Sequence, residues 1–250
     1  MGFLKRISDV DSAKSVKIEY STNAILKSKI SQNAFNNTPT KKDKVNSLAL
    51  CNPVQFIYKY LNNDVIDNAL YGNLNIQNLL NNNHLSYKYR LNNVSSIIAS
   101  HLVPSARVAH KMYGNLNTQT NVEDGIYLVE AALLHDIGKI FIPENILNKT
   151  GKLTSKERRI VELHNKFSYE ILKTTSLKPQ VARLTLEHHN YDNCFKRTTL
   201  NQVLMIADIY CALREVRPYK KALSDLSAKT ILYDMGTKGM FDAGYIKYLW

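Results

Sequence analysis

Six side chains in the second half of this sequence could hold a metal ion or move a proton. They are His135 and Asp136 side by side, His164, the pair His188-His189, and Asp208. Imidazole plus carboxylate suits Fe, Mn, Zn, Co or Ni, while the lack of thiolates argues against a structural zinc site. Lys139 follows the His-Asp pair three residues after Asp136 and adds a cation close to it. One histidine on an apolar face is usually an ordinary core residue. Several on separate inward faces are different, because burying so many imidazoles and carboxylates uncompensated costs several kcal/mol each, and a divalent cation removes that cost.

The elements that must position these residues read as helices. Asn121 is placed to cap a helix with Glu123 and Asp124 in its first turn, where negative charge suits the helix dipole. That helix is predicted to run through Leu133 to Ile137 with Gly138 as its stop, delivering His135 and Asp136 at its end. Thr154-Ser155-Lys156-Glu157 matches a capping box, and its helix aligns Ile160, His164, Phe167 and Ile171. Pro179 opens a third helix that aligns Val181, Leu184 and His188. A fourth aligns Leu200, Leu204, Asp208 and Cys211. Ser224 is placed to cap a helix that runs through Tyr233 and ends before Gly236, and Asp242 a short final one. No strand-type alternation is visible in this half, so the expected fold is all-α.

The 250 residues suffice for one large domain, or one domain with an accessory segment. Residues 1–45 are rich in Lys, Ser, Asn and Thr and read as a weakly ordered segment, with a linker at 36–42. Residues 46–94 read as short helices broken by Asn-rich turns, with Val54, Ile57, Tyr58 and Leu61, then Val65, Ala69 and Leu70, at helical spacing. No chemistry is visible there. No apolar run approaches the ~18 residues of a membrane span, and Met1 to Arg6 lack a signal-peptide block, so a cytoplasmic protein is expected. Cys51, Cys194 and Cys211 suggest reduced thiols. A net charge of +12 favours anionic partners, although lysine-rich surfaces also serve solubility alone.

From about residue 95 to 250 the motifs line up in order. Leu133-Leu134-His135-Asp136-Ile137-Gly138-Lys139-Ile140 continues into Ile142-Pro143-Glu144 and Thr150-Gly151-Lys152-Leu153-Thr154. Glu162-Leu163-His164, His188-His189, Ile206-Ala207-Asp208, Arg217-Pro218-Tyr219-Lys220 and Gly239-Met240-Phe241-Asp242 come next. This series resembles the HD superfamily of metal-dependent phosphohydrolases, and within it the HD-GYP subgroup, the cyclic di-GMP phosphodiesterases.

The resemblance implies a helical HD bundle over 95–250 and metal ligation by His135, Asp136, His164, His188, His189 and Asp208, with Asp136 bridging. It assigns catalysis to His135, Asp136 and Lys139, and places Lys139, Arg217 and Lys220 against substrate phosphates. The implied reaction is hydrolysis of a nucleotide phosphodiester by metal-activated water, with a cyclic dinucleotide or another nucleotide phosphate ester as substrate, in bacterial signal transduction.

The sequence also departs from the pattern. His188-His189 is followed by Asn190 where a Glu is usual, and the Gly-Tyr-Pro loop is absent. Ser168 stands for a Gly and Cys211 for a second Asp. Arg107-Val108-Ala109 is similar to a family element whose histidine position is here Pro104, leaving His101, one turn earlier, or His110, one turn later, as substitutes. Ser100 replaces the Glu that serves a third metal in some members, so two ions, Fe or Mn, are expected. A rival reading is a catalytically silent regulator that binds a nucleotide or a protein partner. A nucleic-acid-binding role rests on charge alone, without a motif.

Overall fold

The computed structural model describes residues 48–116, 121–189, 198–216 and 221–249, and among them the chain is all-α with no strand. The segment expected to be weakly ordered, its linker, Asn190 and the substrate-binding candidates Arg217 and Lys220 lie outside the described residues.

After a short first helix, Leu48–Cys51, asparagine begins the next three. Those helices are α1 (Pro53–Tyr60), α2 (Asn63–Gly72) and α3 (Leu74–Asn82). The side-chain oxygens of Asn52, Asn62 and Asn73 accept the amides of Gln55, Val65 and Asn75 at 3.1, 3.1 and 2.9 Å. Each such cap is worth about 1 kcal/mol, so these asparagines have a local structural role. The inward faces of the three helices, including Phe56, Ile57, Ile66, Leu70, Ile76 and Leu80, join the same apolar core as the later helices.

Helix α4 (Val103–Gly114) packs against α5 (Val122–Leu134), whose last turns are almost wholly buried through Leu128, Val129 and Ala131 to Leu134. Such a segment belongs at the centre of a domain, because no side of it is suited to water. Asn121 caps it as expected, accepting the Glu123 amide at 3.0 Å. The helix then stops at Leu134, three residues short of the predicted Ile137, and a 3₁₀ turn spans Ile137–Phe141. Gly138 is therefore no helix stop; its role is steric and belongs to the metal centre.

The capping box closes with both of its bonds, Glu157 amide to Thr154 Oγ1 at 3.2 Å and Thr154 amide to Glu157 Oε2 at 2.7 Å. The predicted single helix is broken at Leu163 into α6 (Ser155–Glu162) and α7 (His164–Leu172). The break separates two environments: α6 buries none of its residues, whereas α7 turns His164, Phe167, Ser168 and Ile171 inward. Asn73 and Asn75 tie α7 to the first helices, donating to the Glu170 carboxylate at 3.0 and 3.1 Å.

Pro179 opens α8 (Pro179–Glu187), and Thr198 caps α9 (Thr199–Arg214), which lies on α4 and α5. Ser224 caps α10 (Asp225–Thr237) as expected, but the helix continues through Gly236. The left-handed position that ends it falls instead on Gly239, with φ of 78°. Asp242 Oδ1 accepts the Gly244 amide at 2.7 Å at the start of a final 3₁₀ segment, Ala243–Leu249. No helix among the described residues is long and apolar enough to cross a membrane.

Candidate metal centre

The site forms where α5, α7, α8 and α9 end or pass one another. His135 is the residue that closes α5, and the chain turns sharply behind it. Ser168 on α7 holds that turn: its hydroxyl donates to the His135 carbonyl at 2.7 Å and accepts the Gly138 amide at 2.9 Å. One of the carbonyls orphaned by the helix end is thereby satisfied. A Cβ at position 138 would lie 2.1 Å from the His164 carbonyl oxygen, 2.6 Å from the Ser168 nitrogen and 2.7 Å from the Phe167 Cβ. Only glycine lets α7 approach this closely, and that approach sets His164 beside Asp136. Asn93 supports the far side of the turn, donating to the Lys139 and Ile142 carbonyls, both at 2.9 Å.

A Ser168→Ala variant loses both bonds of that hydroxyl and leaves a buried amide and a buried carbonyl unpaired. Urea denaturation should show a loss of roughly 1–3 kcal/mol. A loss below about 0.3 kcal/mol would mean that the hydroxyl does not hold the turn.

Three of the histidines are oriented alike. The Nδ1 of His135, His164 and His188 lies 2.9, 2.6 and 2.7 Å from the carbonyl oxygens of Ala132, Val161 and Thr185, each three residues back. A carbonyl only accepts, so Nδ1 carries a proton, and the neutral form of each ring presents an Nε2 lone pair. Burial works to lower the His135 pKa, but Asp136 and Asp208 outweigh it and raise it. Burial holds His188 well below the ordinary histidine range and His164 down to about 3, outweighing the Asp136 charge next to His164. Both rings are thus neutral near pH 7.

Their Nε2 atoms nevertheless face each other at 3.4 Å. Two lone pairs at that distance repel unless a cation is shared between them. Nitrogens ligating one ion at about 2.1 Å stand roughly 3.0–3.4 Å apart, which fits the spacing.

Asp136 joins two half-sites. Its Oδ1 lies 3.2 Å from His164 Nε2, and its Oδ2 lies 3.4 Å from His135 Nε2, 3.6 Å from His101 Nε2 and 2.6 Å from Lys139 Nζ. Burial works to raise its pKa, yet Lys139 and the histidines outweigh it and hold the carboxyl well below the usual range. Asp208 is likewise held down, with Oδ1 at 3.0 Å from His101 and 3.5 Å from His135, and Oδ2 at 3.9 Å from His189. The donor atoms fall into His164 with His188 and His189, and His101 with His135 and Asp208, while His135, Asp136 and His188 form a third close group.

The structure therefore brings together all six ligands expected from the sequence, and Lys139 with them. Of the two substitutes for the histidine missing at position 104, His101 enters the centre and His110 belongs to none of the groups. Cys211, in place of a carboxylate, is buried and its thiol is pushed up to about 12, so it offers no anion there. Sequence spacing gives no sign of the parts played by Ser168 and Asn93. Their roles depend on long-range backbone partners, which no local pattern signals.

A cleft of about 260 Å³ opens onto the centre. His101, Asp136, Lys139, His189 and Asp208 line its polar side, and Ile209, Ala212 and Leu213 of α9 line it with apolar side chains.

Comparison with known proteins finds relatives of one kind. The cyclic di-GMP phosphodiesterase response regulator RpfG of Xanthomonas campestris is 36% identical over 123 residues, which cover 44% of this chain and 32% of that protein. The 3'3'-cGAMP-specific phosphodiesterase 3 of Vibrio cholerae is 37% identical over 109 residues, covering 40% of this chain and 24% of that protein. A cyclic di-GMP phosphodiesterase of Vibrio cholerae is 30% identical over 155 residues, covering 56% of this chain and 31% of that protein. The chain thus spans about a third or less of the length of these relatives. Residues 92–244, more than half of the chain, match the HD domain, a metal-dependent family, and the chain belongs to that family.

Proposed function

We propose that this chain is a metal-dependent phosphodiesterase that opens a cyclic dinucleotide, with cyclic di-GMP the first candidate substrate. The observation that carries the proposal is the facing pair of neutral, lone-pair-bearing Nε2 atoms on His164 and His188, joined through Asp136 to a second group of ligands. Two ions, Fe or Mn, suit this all-imidazole and carboxylate set better than a thiolate-seeking metal. When bound they supply Lewis acidity toward phosphoryl oxygens and a nucleophilic water near neutral pH.

The protein's own residues do the rest. Asp136 holds the two half-sites at a fixed separation, and the backbone-anchored rings of His135, His164 and His188 keep their lone pairs inward without reorganisation. Lys139 lines the cleft with its ammonium 2.6 Å from Asp136, available to a phosphate bound there, and Ile209, Ala212 and Leu213 offer an apolar surface to a base. The basic balance of the chain, +12, favours such an anionic substrate. Arg217 and Lys220 are proposed to add phosphate contacts. Residues from about 95 onward would form the catalytic domain, with 46–94 as an accessory helical segment that covers its core.

The test is a panel of cyclic di-GMP, cyclic GMP-AMP, cyclic di-AMP and linear dinucleotides, incubated with protein loaded with Mn or Fe and with chelated protein. The proposal expects a linear dinucleotide or mononucleotides from at least one cyclic substrate, only with metal. Tight nucleotide binding without cleavage under any metal would favour a silent regulator.

A further inference from the structure

The residues at 97–104 hold a feature that no ordinary helix would have. Ile98–Leu102 form a π-turn, in which the Leu102 amide bonds to the Ile97 carbonyl at 3.1 Å and the Val103 amide to the Ile98 carbonyl, both five residues back. Helix α4 begins directly after it, with Pro104 in its first turn. Proline has no N–H, so position 104 cannot make the four-residue-back bond to the Ser100 carbonyl that would resume a regular helix across the junction. A π-turn inserts a residue into the helical register and rotates the upstream residues relative to the helix after it.

His101 lies on that turn. It is 3% exposed, and its Nε2 stands 3.0 Å from Asp208 Oδ1 and 3.3 Å from His135 Nε2. With its Nδ1 committed to Ala132, the neutral His135 ring has only its Nε2 lone pair to offer an ion. Unlike the rings of His135, His164 and His188, His101 has no hydrogen-bond partner at Nδ1. Its ring is thus placed by the backbone turn rather than by a carbonyl three residues back.

Building on the metal-dependent reading above, we propose that Pro104 and the π-turn together recruit His101 as a ligand of the half-site formed with His135, Asp136 and Asp208. Position 104 carries no imidazole of its own, and the register break beside its proline brings His101 into reach. His101 completes a set of two imidazoles and two carboxylates, matching in size the His164, His188, His189 and Asp136 set on the other side.

The experiment is Mn(II) titration of the full chain, read by metal content after desalting and by electron paramagnetic resonance. Wild type is expected to bind two ions. His101→Ala is expected to retain one, with the other weakened at least about 10-fold. His101→Gln keeps a polar group that can donate to Asp208 but removes the imidazole, and should behave like His101→Ala. Pro104→Ala touches no ligand, yet by restoring an amide it should weaken the same ion.

If His101→Gln binds two ions as wild type does, His101 is a hydrogen-bonding support for Asp208 and the inference is overturned. Full loading of His101→Ala overturns it as well, and unchanged binding by Pro104→Ala overturns the part played by the register break. Wild type that takes up no metal at all would instead overturn the metal-dependent reading, and this inference with it.

Discussion

Replacing Asp136 by asparagine will lower cyclic dinucleotide cleavage by on the order of 10³-fold while the protein stays folded. The size of the effect comes from its position. Both carboxylate oxygens are engaged, Oδ1 toward His164 and Oδ2 toward His135 and His101, so the single change weakens both half-sites. An amide carries no charge to offset bound cations, and its nitrogen faces groups that need an acceptor. The fold survives because the ion-pair partner, Lys139, has a side chain 20% exposed and can turn to solvent. A steady-state assay alongside a melting curve checks the claim. Activity within a few-fold of wild type would remove Asp136 from the mechanism.

The second large effect is mechanical. Gly138→Ala adds one methyl group where two main-chain atoms, the His164 oxygen and the Ser168 nitrogen, already stand 2.1 and 2.6 Å away. Neither can rotate aside as a flexible side chain would, so α7 or the 3₁₀ turn must move. A loss of about 3 kcal/mol is expected, lowering the melting temperature by roughly 6–12 °C for a chain of this size. The movement would also draw His164 away from Asp136, so metal affinity should fall in the same variant. A melting temperature within ~2 °C of wild type would show that the turn accommodates the methyl group and that glycine is not required there.

These two residues also mark what can and cannot be read from the sequence. His164, His188 and Asp208 are legible because each falls in a helical apolar pattern, with Phe167 and Ile171, Val181 and Leu184, and Leu204 and Cys211 as neighbours that must face the core. The caps at Asn121, Thr154 and Ser224 are legible because capping is a local bond between residues two or three apart. Gly138 misleads. A glycine after a histidine and an aspartate reads as a helix stop, yet its use is the close passage of a segment about 30 residues later, which no local pattern records.

The same limit explains Ser168 and Asn93, whose partners lie 30 to 49 positions away. His101 is a different case. A periodicity of 3.6 assumes an unbroken register, and a π-turn violates that assumption within a single residue. The asparagines of residues 52–73 read as turn-formers between short helices, in a stretch where no chemistry is visible. Three of them start helices.

The central claim is that the facing histidines and their shared aspartate form a two-ion centre. Protein purified from medium supplied with Mn or Fe, then desalted, can be assayed directly for metal per folded chain. The arrangement predicts about two transition-metal ions per chain, with a melting temperature that falls on chelation and recovers when metal is returned. A folded chain that carries no transition metal after loading, and whose melting is indifferent to chelators, would contradict it.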